Sequence, residues 1–440
     1  MRAKRFPAFP ALRDSAESCP SSAWLCDGRG IRHPATSAAS KATHSTLLLL
    51  LCVAWLVTWP VSADTGAQRS AGAGVMRGAH ELAQRAAPFF ELAGLPKTDP
   101  EAISSVHTRS VCRLWAGMGE VVELELACPP EHHREPVSII AKCVKWKAEQ
   151  AAGGLSIGDR RKRDSYVNEA NFYKNGHAQR LHAAGCKLPR ALTSEHRPDG
   201  ITIVMTKLQG RPAAGLNENE SRAVLSWLAR MHAEYWGARA DAAVCASTSG
   251  GLQEQGCYWH LDTRPDEHAA MPRHGWEGRL RLAARAVDLR LKEDRMQTVC
   301  HGDAKESNIF FDEGSQAPEL YDFQYSGKAP PTKDLAYFLT CGSSVDEDRT
   351  SSCITPLVRH YHAELSCQLR SRGDEPPSLD ALEDSLDLAA CDLGRWMSGW
   401  GWWGHDLQPW IVRVLRRLDG GRALAAEEHY VDAVRREFPA

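Results

Sequence analysis

Along this chain the spacing of apolar residues changes its period, and the changes divide it into stretches of different structure. Between 79 and 93, Leu82, Ala86, Phe89, Phe90 and Leu92 recur at helical spacing and stop near Gly94 and Pro96, which predicts a helix. The pattern then tightens into strand-like runs at 103–114, 121–127, 137–144, 188–193 and 201–206, the last two separated by the turn Arg197-Pro198-Asp199-Gly200. Five such runs predict an antiparallel sheet, interrupted by a helical stretch around 164–173. Beyond Pro212 the period lengthens again. Asn217-Glu218-Asn219-Glu220 supplies capping residues, and Leu225, Leu228, Met231 and Tyr235 follow on one helical face, with His232 read as packing. A further helix carries Leu280, Ala284, Val287 and Leu291, and two long helices are expected at 355–369 and 379–396. The region 250–275 lacks periodicity and reads as a long loop.

One stretch breaks the helical regime. Val299-Cys300-His301-Gly302-Asp303-Ala304-Lys305-Glu306-Ser307-Asn308-Ile309-Phe310-Phe311 sets a polar loop between short apolar strands. After the turn Asp312-Glu313-Gly314-Ser315 a second strand delivers Asp322, in Asp322-Phe323-Gln324. Two carboxylates and an amide are thereby brought together. Moving a phosphoryl group from ATP needs a base for the acceptor hydroxyl and hard oxygen ligands for Mg2+. Asp303 is the candidate base, and Asn308 and Asp322 are the candidate metal ligands.

The pattern His-Gly-Asp-x4-Asn followed by Asp-Phe-Gln resembles the aminoglycoside phosphotransferase and choline-kinase-like enzymes, and within them the CHK or ecdysteroid-kinase-like group. Protein kinases carry Arg at the position of Gly302 and Gly at that of Gln324. The interval from Asp322 to Asp334 is also too short for a peptide-docking segment. The resemblance implies an α+β, two-lobed, protein-kinase-like fold, with a small antiparallel sheet lobe at 79–210, a larger helical lobe at 211–440 and ATP between them. It implies that His301 braces the loop and that Asp334 supports it from behind. It also places the phosphate-binding lysine at Lys142, in Ile140-Ala141-Lys142-Cys143-Val144, with Lys145 and Lys147 as rivals. A lysine in such a run points inward at a cost unless an anion meets it. Glu169 shares a helical face with Tyr166, Phe172 and Tyr173 and is the partner the resemblance assigns. Gly117 and Gly119 stand where kinase-like folds cover the phosphates, although an ordinary two-glycine hairpin accounts for them as well. Met205 to Gly210, with Met205 and Leu208, falls at the interlobe hinge that would receive the adenine. Lys305 either meets the transferring phosphoryl group or is an exposed loop lysine. The reaction implied is transfer of the γ-phosphoryl group of ATP, assisted by Mg2+, to a hydroxyl of a small molecule. The alternative, from another class, is a nucleotide-binding pseudoenzyme or scaffold without turnover.

Composition narrows this picture. The chain has 440 residues, 43% hydrophobic and 25% charged, which suits a globular protein with substantial cores. A net charge of -2 gives no sign of nucleic-acid binding. The 14 cysteines lack Cys-x-x-Cys spacing and several sit in apolar runs, so buried free thiols are expected and zinc is not. Four tryptophans in 396–403 form either an aromatic wall for a cationic or flat substrate or core packing around glycines. Residues 1–78 read as a disordered leader with a hydrophobic targeting segment at about 47–63. A cleaved signal peptide, a signal anchor and a start codon placed too far upstream all fit that segment, which is also the one place where membrane contact is expected.

Overall fold

The computed structural model describes residues 78–114, 117–129, 136–146, 156–244, 250–342 and 350–439. The leader and its hydrophobic segment lie outside these residues, as does Lys147. Among the described residues no helix is long and apolar enough to cross a membrane.

The sheet comprises β1 (Ser105–Arg113), β2 (Gly119–Ala127), β3 (Val137–Lys145), β4 (Ala191–Arg197) and β5 (Gly200–Thr206). They pair antiparallel in the order β1-β2-β3-β5-β4. Alternation along each strand gives the sheet two distinct faces. Val122, Leu124, Ile139, Ala141 and Val204 pack against the helical segment 78–86, through Leu82, Ala83 and Ala86, and against Phe90. The opposite face, with Val144, Ile201, Ile203 and Met205, joins the main core. Lys142 belongs to this second face by parity, so the strand pattern itself turns its ammonium toward the interior.

Two expected boundaries shift. The helix expected over 79–93 ends at 86, where Pro88 enters and two 3-10 turns, Ala87–Phe89 and Glu91–Ala93, carry the chain on to Gly94. Phe89 and Leu92, expected on its apolar face, are exposed. The strand expected at 188–193 is β4, three residues later. It lies at the sheet edge, where only Leu192 among its residues is buried, so alternation there carries little signal.

Helix α1 (Ile157–Lys174) follows β3 and is capped by Ser156, whose hydroxyl accepts from the Asp159 N–H at 3.1 Å. The short helix α2 (His177–Ala183) leads to β4. After β5, residues 207–209 link the sheet to β6 (Gly210–Pro212), which pairs with β8 (Ile309–Asp312) of the second lobe. Helix α3 (Glu218–Glu234) opens with a capping box between Asn217 and Glu220. Two short helices, α4 (Ala238–Val244) and α5 (Pro265–Ala270), punctuate the region expected as loop, and α6 (Gly275–Lys292) leads into β7 (Thr298–Cys300). β8 continues through a tight turn, in which the Asp312 carboxylate accepts from the Ser315 N–H at 2.6 Å, to β9 (Pro318–Leu320). β10 (Gly327–Ala329) returns to pair with β7. Helices α7 (Thr332–Cys341), α8 (Thr350–Ser371), α9 (Leu379–Trp400), α10 (Gln408–Asp419) and α11 (Glu427–Glu437) complete the larger lobe. This is the two-lobed α+β architecture expected from the sequence. No disulfide occurs among the described cysteines, all of which are free.

Candidate active site

The loop 301–308 is suspended between β7 and β8, and its backbone is fixed from below. Asp334, in the first turn of α7, accepts the N–H of His301 at 2.6 Å and of Gly302 at 2.9 Å, while His232 of α3 meets the same carboxylate at 3.1 Å. Burial opposes the Asp334 charge, yet these partners hold its carboxyl below the usual range. His232 was expected as simple packing. It is fully buried and bonded on both ring nitrogens, to Asp334 and to the Tyr361 hydroxyl, so its role is polar bracing. His232, Cys300 and Asp334 bring ligand-type atoms within 4.8 Å of one another. With both imidazole nitrogens taken and both Asp334 oxygens holding backbone N–H groups, this cluster is a brace and not a cation site. Gly302 adopts φ +84°, and a Cβ there would meet the Tyr325 carbonyl oxygen at 2.1 Å, so only glycine fits.

His301 accepts the Asp303 N–H on Nδ1 at 3.2 Å and donates from Nε2 to the Tyr321 carbonyl at 3.1 Å. Those partners require the neutral tautomer, and burial lowers the ring's pKa in agreement. The imidazole thus ties the loop to the strand that delivers Asp322. Asp303 is 3% exposed. Its Oδ2 accepts from Lys305 Nζ and from Asn308 Nδ2, both at 2.9 Å, while Oδ1 is buried without a partner. Burial raises the Asp303 pKa, against the pull of Lys305. Lys305 was expected either to face a phosphoryl group or to be exposed; it is half-exposed and paired with Asp303. Asn308 spends its Nδ2 on Asp303, so its oxygen is the atom available to a cation.

From β3, Lys142 is 6% exposed and lies 2.5 Å from Glu169 of α1 and 2.8 Å from Asp322. Burial opposes its charge, but the two carboxylates hold its pKa above the ordinary value. Burial pushes Glu169 up to about 7 despite Lys142. Asp322, opposed by burial and favoured by Lys142, stays below the usual carboxylate range. Its backbone sits in the left-handed region, φ +69°, a strained conformation for a residue with a side chain. Asn168, which the sequence reading missed, holds the segment after Asp322. Its Nδ2 donates to the Ser326 carbonyl at 2.8 Å and to that of Gln324 at 3.2 Å, and its Oδ1 accepts from the Gln253 N–H.

The remaining expected residues belong to the sheet and to its link with the second lobe. Gly117 and Gly119 flank the tip of the β1–β2 hairpin with positive φ, and a Cβ on Gly119 would meet the Cys143 carbonyl oxygen at 1.9 Å. Close packing on β3 therefore explains Gly119 without any ligand. Met205 is the last residue but one of β5 and Leu208 lies in the interlobe link, whose Lys207 pairs with the buried Glu123 at 2.7 Å. Lys145, the described rival of Lys142, is exposed.

Residues 160–376, just under half of the chain, match the model of the phosphotransferase enzyme family. The matched stretch holds Glu169, His301, Asp303, Asn308, Asp322 and Asp334, and starts after Lys142. A comparison with curated protein sequences gives no match. Solved structures similar to the chain include a Plasmodium vivax ethanolamine kinase, 11% identical with a TM-score of 0.42, covering 72% of this chain and 83% of that one. An amicoumacin kinase is 13% identical with a TM-score of 0.44, covering 79% and 91%. An aminoglycoside-3'-phosphotransferase of type VIII is 16% identical with a TM-score of 0.37, covering 66% and 93%.

Proposed function

We propose that this chain is an ATP-dependent phosphotransferase that moves the γ-phosphoryl group of ATP to a hydroxyl of a small molecule. The observation that carries the reading is Asp303, a buried carboxylate with one oxygen fully engaged and the other left without a partner. An orphaned buried acceptor is costly unless a donor comes to it, and an alcohol hydroxyl is such a donor. The family match over 160–376 supports the same class. Gly302 and Gln324 in their motif positions favour the small-molecule branch over a protein kinase, and the resemblance of the whole motif to the CHK group is part of the proposal.

In this reading Asp303 orients the acceptor hydroxyl through Oδ1 and takes its proton as the oxygen bonds to the γ-phosphorus and the bond from that phosphorus to the bridging oxygen breaks, releasing ADP. Lys305 and Asn308 hold the other carboxylate oxygen and so fix the direction in which Oδ1 points. Lys142, kept charged between Glu169 and Asp322, neutralises phosphate oxygens. The oxygen of Asn308 and the carboxylate of Asp322 form a hard-oxygen set that suits Mg2+, which when bound would offset the charge of the phosphates. His301 and Asp334 act behind the loop by holding its backbone.

The reading is tested by incubating the full chain with Mg2+ and ATP labelled at the γ-phosphate in a cell extract, then following the label. Label in an organic phosphate that is lost with Asp303→Asn supports it. ATP binding without label transfer to any alcohol would leave a nucleotide-binding scaffold instead.

A further inference from the structure

We propose that Asn168 is a positioning residue that sets the affinity of the site for its divalent cation, by holding the backbone that presents Asp322. This rests on the phosphotransferase reading and adds a residue to its metal half. Asp322 takes the left-handed conformation, φ +69°, with Tyr321 before it and the 3-10 turn Phe323–Tyr325 after it. A residue with a side chain keeps such a backbone only while its surroundings fix both flanks. The leading flank is fixed by His301, whose Nε2 donates to the Tyr321 carbonyl at 3.1 Å. The trailing flank is fixed by Asn168. Its amide nitrogen lies 3.3, 3.2 and 2.8 Å from the carbonyl oxygens of Phe323, Gln324 and Ser326, so one side chain gathers the acceptors of the whole turn. Asn168 is 3% exposed, so water is not at hand to replace it. The Phe323 ring adds apolar support, stacked 4.0 Å from Phe172 of α1 and 4.8 Å from the His301 ring.

The same side chain also faces the other way. Its Oδ1 accepts from the Gln253 N–H at 2.9 Å, and it begins a stripe of amides: Asn171 donates to the Gly251 carbonyl at 3.3 Å and Asn175 to that of Gly250. Residues at i, i+3 and i+7 share a helical face, so the stripe fastens α1 to the segment 250–253. That segment runs beside β10, where Gln253 bridges to Gly327 and accepts from the Lys328 N–H at 3.1 Å. β10 pairs in turn with β7, which opens into the loop 301–308. One residue further along α1, Glu169 turns to Lys142. Asn168 is therefore the point at which the helix that anchors Lys142 meets the turn that aims Asp322. Removing its amide group frees the trailing flank of Asp322, and the carboxylate loses its fixed aim at a cation, while Lys142 keeps Glu169.

Groups that orient a metal ligand typically change metal affinity by about ten- to a hundredfold when they are removed. The full chain is titrated with Mn2+, in place of Mg2+, together with the non-hydrolysable analogue adenylyl imidodiphosphate, and unbound Mn2+ is read by electron paramagnetic resonance. Asn168→Ala is expected to weaken Mn2+ at least about tenfold while affinity for the analogue without metal stays within about twofold. In transfer of the γ-phosphate label, the Mg2+ concentration giving half the maximal rate should rise by a similar factor, and saturating Mg2+ should restore the rate to within about threefold of the parent. Asn168→Ser, which keeps one donor, should weaken Mn2+ about threefold and carries the test if the alanine variant does not fold. Leu369→Ala, a destabilising change at a buried position of α8, should leave Mn2+ affinity unchanged. Mn2+ bound as tightly by the folded Asn168 variants as by the parent, or an equal loss of affinity for the metal-free analogue, overturns the proposal. Mn2+ loosened as expected in a chain that phosphorylates no alcohol would instead overturn the phosphotransferase reading and leave the role of Asn168 standing.

Discussion

At the scale of single residues the chemistry turns on the asymmetry of one carboxylate. Burial raises the pKa of Asp303 against the pull of Lys305, and its free oxygen stays poorly solvated. A base must be deprotonated to act, so kcat/KM is expected to fall with decreasing pH along a limb centred above the ordinary aspartate value of 3.8. Lys305→Ala removes the charge that lowers this pKa and should move the limb to higher pH, measured in initial-rate profiles of both enzymes; an unmoved limb would show that Lys305 does not govern the base. Glu169 obeys a different sign. Its folded pKa of about 7 lies above the ordinary glutamate value of 4.5, so across that window the native state binds more protons than the unfolded one and the group's contribution to stability falls as pH rises. Lys142→Met leaves burial unopposed. Urea unfolding at about pH 5 and about pH 8 should then show a steeper loss of stability with pH than in the parent chain.

At the scale of elements, α7 and α9 carry the support. Lys333 at the start of α7 lies 2.9 Å from Asp392 of α9, which also receives Arg395, and all three are buried. Burial opposes the Asp392 charge, but Lys333 and Arg395 hold its carboxyl down to about 2. A depressed folded pKa gives stability that is present above 3.8 and lost as pH falls through about 2. Asp392→Asn leaves two buried cations without their carboxylate and should cost about 3–5 kcal/mol in chemical denaturation. A loss below about 1 kcal/mol would mean that water or other groups already compensate them.

What the sequence disclosed follows from where the partners lie. Residues 301–308 and 322 are close in the chain and joined by short strands, so their convergence was legible. Lys142 and Glu169 stood out as charges in apolar or aromatic stripes. Asn168 gave no comparable signal, because a polar residue on a helix is ordinary until its neighbours from 253 and 324–326 are known. The tryptophan cluster, read as wall or core, divides by residue, with Trp396 buried at 3% and Trp400 open.

At the scale of the whole molecule, Lys142 joins the lobes, since its strand belongs to the sheet and its partner Asp322 to the helical lobe. A nucleotide bound between them should stabilise the native state by about 2.7 kcal/mol when present at a hundred times its Kd. Thermal unfolding with Mg2+ and ATP should show that shift in the parent chain and a much smaller one in Lys142→Met. The account as a whole stands or falls on the oxygen of Asp303 that has no partner. Its most direct test is the rate of alcohol phosphorylation in Asp303→Asn beside the parent chain, with ATP affinity measured in both. The account predicts a fall in kcat of about a thousandfold at nearly unchanged ATP affinity. Phosphorylation continuing at more than about a tenth of the parent rate would contradict it.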